Sequence, residues 1–168
     1  MIRRAQGFTL IEILVVVFIV TILAGVTVMN LPQFARTGNL DTEARRIKVL
    51  LEMAREEALL QATELGFKPD KDGYLFFVYD EAAGRWSGMT ERPFQPRQLD
   101  EAVTLALRVE DNEFVLGDEG RDMPPILLLS SGETTPFELT IGMRSGESSK
   151  TLVSDGIGEL VWKADVEK

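Results

Sequence analysis

The sequence predicts an α+β protein: a long N-terminal transmembrane or spine helix followed by an antiparallel β-sandwich-like domain. Three observations lead there. Residues 8–29 hold 17 apolar side chains in 22, with an unbroken run over 13–20. Residues 40–65 carry apolar side chains at steps of three and four, the helical period. From residue 67 the pattern changes to short apolar runs cut by turn residues, the signature of closely spaced strands. A chain of 168 residues has room for one such domain and an extension.

As a helix rising about 1.5 Å per residue, the first apolar stretch reaches roughly 33 Å, enough to cross a bilayer core. A buried core helix is the competing reading, but helices in soluble cores keep a polar stripe. Arg3 and Arg4 precede the stretch and no base follows it until Arg36, so the N-terminus is expected in the cytoplasm. An ordinary secretory signal fits poorly, because the apolar region is long and no small-x-small cleavage site follows it. Glu12 is the one charge inside it. A carboxylate costs about 2.5–3.5 kcal/mol at mid-bilayer on insertion scales, so it needs either the interface or a cation.

Next, Asn30-Leu31-Pro32 interrupts the pattern. Pro32 cannot donate to residue 28 and disfavours a helical Leu31, so a kink or break is expected there. Helical spacing returns with Leu40, Ala44, Ile47, Leu51, Ala54, Ala58 and Leu65, one apolar face for packing against the chain's own domain. Asn39 or Asp41 is placed to cap its start and Gly66 to end it. Strands are expected at 66–68, 74–79, 85–87, 103–109, 113–116, 126–129, 136–143, 150–153 and 158–162. Pro93, Pro96, Pro124 and Pro125 mark loops.

Composition excludes much chemistry. With no Cys and no His, there is no disulfide, thiol nucleophile, histidine base or usual zinc site. Ser130, Ser131 and Ser148 therefore have no histidine to form a serine triad. Net charge is −9, concentrated in residues 67–168, and no nucleic-acid partner is expected. Asp70-x-Asp72-Gly73 opens like a calcium loop, but Leu75 stands where that loop needs glycine, so a hairpin turn is the reading. Asp118, Glu119 and Asp122 are a weaker calcium candidate. Trp86 and Trp162 are read as core-packing aromatics before sugar platforms. No catalytic residue, metal ligand or cofactor is assigned, and the chain has no phosphate-binding P-loop.

Arg3-Arg4-Ala5-Gln6-Gly7-Phe8-Thr9-Leu10-Ile11-Glu12 resembles the class III signal of type IV pilins and type II secretion pseudopilins. The resemblance implies that a prepilin peptidase cuts between Gly7 and Phe8 and methylates the new amine of Phe8. It also implies that Glu12 pairs with the amine of a neighbouring subunit during assembly. Further on, the Ala-, Arg- and Glu-rich helix leads into Gly73-Tyr74-Leu75-Phe76, then Arg85-Trp86 and Ser131-Gly132-Glu133-Thr134-Thr135-Pro136-Phe137-Glu138-Leu139. With the leader, these resemble the GspH/FimT group of minor pseudopilins and minor pilins.

That likeness implies a leader at 1–7, a transmembrane and assembly helix at 8–30, a periplasmic part of the spine at 31–66 and a periplasmic β domain at 67–168. It implies a structural, non-enzymatic subunit of the type II secretion pseudopilus, at or near the tip. Its expected partners are the prepilin peptidase, the other minor pseudopilins, the major pseudopilin and the inner membrane. A type IV pilus minor pilin, acting in pilus assembly or DNA uptake, is the alternative.

Overall fold

The computed structural model describes residues 10–110, 112–114, 116 and 123–163, with side chains described outside 23–39. The chain divides into two units, Met1–Gly38 and Asn39–Lys168. One helix, α1 (Leu10–Gln61), enters both. The expected break at Pro32 does not interrupt it. Proline removes a single donor, and one missing bond does not end a helix that has turns on either side. Its end also differs from expectation. Ala62, not Gly66, takes the left-handed conformation (φ 51°), and the Thr63 amide donates to the Ala58 carbonyl at 3.1 Å in a Schellman closure. Leu65 and Gly66 already belong to the first strand.

The strands are β1 (Leu65–Asp70), β2 (Gly73–Asp80), β3 (Arg85–Gly88), β4 (Arg97–Gln98), β5 (Val103–Val109), β6 (Asn112–Phe114), β7 (Ile126–Leu128), β8 (Phe137–Met143), β9 (Ser149–Ser154) and β10 (Val161–Trp162). They form two antiparallel sheets. The first runs β3-β2-β1-β7, with β4 added to β2, and the second runs β10-β9-β8-β5-β6. Asp70 and Gly73 close the β1–β2 hairpin as a pair, and the Lys71 amide donates to Asp70 Oδ1 at 2.8 Å. The supposed calcium loop is that turn. Asp118, Glu119 and Asp122 lie outside the described residues.

Within the second unit, the helical face read from spacing is the core face. Leu40, Ala44, Ile47, Leu51, Ala54 and Ala58 are buried in one cluster with residues of both sheets, among them Phe67, Phe76, Leu107, Ile126, Leu139 and Ile141. The alanines bring the helix close to the sheets, and the larger side chains fill the space between. Phe67, Tyr74, Phe76 and Phe94 form a chain of ring contacts at 5.1–6.1 Å, mostly tilted or edge-on as aromatic quadrupoles favour. Tyr79 and Trp86 are a cross-strand pair at 5.3 Å, so Trp86 is a packing residue on the sheet.

Polar fasteners then tie the helix to the strands. Lys150 Nζ lies 2.7 Å from Asp41 Oδ1, and Arg55 donates to the Gly158 carbonyl at 2.6 Å. Just past the helix, Glu64 accepts from the Ser130 amide and hydroxyl at 3.1 and 2.8 Å.

Candidate functional site

In the first unit, residues 10–22 present large apolar side chains on every face of α1. Eleven of them, from Leu10 at 84% to Val15 at 48%, are exposed. Water opposes so much apolar surface, at about 25 cal/mol per Å2, so this segment requires an apolar surround. The hydroxyl of Thr21 turns back and donates to the Val17 carbonyl at 2.7 Å, satisfying itself within the helix. Glu12 is exposed in the first described turn. Gly7 and Phe8 lie outside the described residues. Among the described residues no helix is long and apolar enough to cross a membrane; of residues 8–29, side chains are described over 10–22 alone.

The second unit holds a polar cluster that sequence reading missed. Glu43 is buried on the core side of α1, and Arg97, on β4, grips it with two bonds, Nε to Oε2 at 3.1 Å and a terminal nitrogen to Oε1 at 2.5 Å. Such a fork holds a guanidinium in a fixed plane. Beside it Tyr74 is fully buried, and its hydroxyl finds no hydrogen-bond partner among the described residues. Burial pushes the Tyr74 phenol up to about 12; Arg97 opposes that rise, Glu43 adds to it and Arg46 again opposes.

The strap that carries Arg97 owes its place to Gly73. A Cβ there would stand 2.0 Å from the Arg97 carbonyl oxygen, and the Leu99 amide donates to the Asp72 carbonyl at 2.9 Å. A lone glycine after an Asp-rich turn and an acid on a helix's apolar side were the available signals.

A third feature is the turn before β10. Gly156 sits at φ 99°, and Asp155 Oδ1 accepts from the amides of Gly158 and Ile157 at 2.7 and 3.1 Å. Those bonds, Gly158's first, hold the Asp155 carboxyl below the usual range. They also fix Ile157 at 79% exposure.

A leader-like N-terminus, an all-round apolar helix and a two-sheet domain together define a pilin-like assembly subunit, and comparison narrows the class. The family model described as "Type II transport protein GspH" matches residues 43–158, and the "Prokaryotic N-terminal methylation motif" matches residues 2–28. Type II secretion system protein H of Pseudomonas aeruginosa is 34% identical over 163 residues, covering 92% of this chain and 93% of that protein. The protein H of Pectobacterium carotovorum is 32% identical over 175 residues, covering 95% and 93%. Among solved structures, the minor pseudopilin EpsH of Vibrio cholerae shares the fold, with TM-score 0.63 at 23% identity over 77% of this chain and 99% of that one. The solution structure of Escherichia coli GspH aligns with TM-score 0.58 at 22% identity, over 77% and 88%.

The chain belongs to the GspH family, the minor pseudopilins of type II secretion. This is a family of structural subunits and not of enzymes. The type IV pilus alternative is not favoured, since these relatives carry the secretion name. Family and motif together imply inner-membrane anchoring, processing by a prepilin peptidase and assembly with other pseudopilins in a periplasmic pseudopilus.

Proposed function

We propose that this subunit is cut between Gly7 and Phe8, methylated on the new Phe8 amine, and built into the secretion pseudopilus at or near its tip. Before assembly α1 anchors it in the inner membrane, with the leader cytoplasmic and the β domain periplasmic. Cutting creates a cation at the start of an apolar helix, four residues ahead of the Glu12 carboxylate. The amine of one subunit and Glu12 of a neighbour neutralise each other where lipid would penalise either alone, which couples insertion to register. The other minor pseudopilins and the major pseudopilin supply those neighbours. The observation that carries this reading is the methylation motif over residues 2–28 leading into a helix exposed and apolar on all sides, with one acid in its first described turn.

Mass spectrometry of the mature protein with its crosslinked neighbours tests it. A methylated N-terminal Phe8 crosslinked to pseudopilins is expected, whereas a native chain that still begins at Met1 refutes the processing. Glu12→Ala is expected to leave peptidase cutting largely intact and to impair incorporation severely. Normal co-assembly of that variant would remove the role assigned to the acid.

A further inference from the structure

The strap over residues 93–98 encloses a cleft of about 380 Å3 against α1, bordered by Arg46, Leu50, Tyr74, Pro93 and Arg97. Its volume is at the lower end of the range for small-ligand sites. Its charge is unusual for this chain. Two guanidinium groups border it in a protein of net charge −9, and Glu43 is the one acid acting beside them on Tyr74. Glu43 occupies Nε and one terminal nitrogen of Arg97, leaving three of the five N–H donors of a guanidinium for something else. Tyr74, 1% exposed, borders the same cleft with a hydroxyl that lacks a partner among the described residues. Folds keep few such hydroxyls, and this one is itself sealed from solvent behind the surface of the cleft. A second cleft, of about 540 Å3, shares Tyr74, Pro96, Arg97 and Gln98 with the first but adds Asp70 and Asp72, so an anion is favoured on the side of Arg46.

We propose that the cleft between α1 and the strap is a carboxylate-binding site that receives an acidic side chain or a chain terminus of a neighbouring polypeptide. Arg46 supplies the exposed charge, Arg97 is held in place by Glu43 as a fixed fork, and the buried Tyr74 ring borders the cleft and reports its occupancy. Two cations against one acid leave a single positive charge, which suits a monoanionic carboxylate better than a doubly charged phosphate. Leu50 and Pro93 offer apolar walls to the residues flanking that acid. The site stands independently of leader processing and of the subunit's position in a filament.

The test is an NMR titration of the full chain in detergent micelles, with 13Cζ-labelled tyrosine, using three capped hexapeptides. One carries a central Glu, one a central Gln, and one a central Gln with a free C-terminal carboxylate. Sodium acetate is the fourth probe. A saturable shift of Tyr74 and not Tyr79 is expected with a carboxylate peptide, and the peptide that gives it identifies side chain or terminus as the source. Arg46→Gln, a change at an exposed position, should weaken that binding about tenfold and leave thermal stability unchanged, as expected for loss of one charge-assisted bond. Tyr74→Phe should weaken it little, read from a 13C-labelled Arg97 signal. An equal response to the neutral peptide, no saturable response, indifference to Arg46→Gln, or acetate binding as tightly as the peptides would overturn the proposal.

Discussion

Tyr74 combines a fully buried ring with a hydroxyl that has no partner among the described residues, and its titration makes a prediction. Its folded pKa of about 12 exceeds the ordinary 10.0, so its contribution to stability is complete below pH 10. Above that the unfolded chain loses its proton first, and the contribution drains away as pH rises towards 12. Tyr74→Phe should therefore stay within about 1 kcal/mol of the parent at pH 7 and lose less stability than the parent between those pH values, as denaturant melts would measure. At this scale the sequence was half legible. Glu12 stands out because it is the one charge in an apolar run. Glu43 and Arg97 do not, because 54 positions separate them and only the folded strap joins them.

At the scale of elements, local pattern was the good guide and local interruption the poor one. The stripe from Leu40 to Ala58 became the core face because a helical period survives whatever packs on it. At Pro32 the expected break is absent, since one lost bond does not end a long helix, and β4 was missed because a two-residue strand just after Pro96 has no pattern of its own. What places β4 is the missing side chain across from it. Gly73→Ala should cost about 1–3 kcal/mol by forcing the strap away, whereas Gly88→Ala, with nothing within 4 Å, should cost about 0.5 kcal/mol or less. Thermal melts of the pair measure the contrast, and equal losses would mean that the close approach at Gly73 is not what seats the strap.

For the molecule as a whole, the sheet class was legible and the sheet order was not. Turn residues announce hairpins, but β7 beside β1 and β5 beside β8 join distant segments through contacts no local window contains. The core also divides the chain unequally. Residues 39–168 own the buried cluster, helix face included, so that fragment should unfold cooperatively in solution. A fragment starting after residue 61 lacks Leu40, Ile47 and Leu51 and should not fold, each of those losses alone being worth about 2–5 kcal/mol. Circular dichroism of the two distinguishes the outcomes. The opposite end of the chain obeys a different rule. A rod greasy around its whole circumference has no front or back, and any neighbour meets much the same surface at every azimuth. Rotation about the axis is therefore nearly free until a lone acid engages, and that one group becomes the pointer by which such a rod knows which way it is turned.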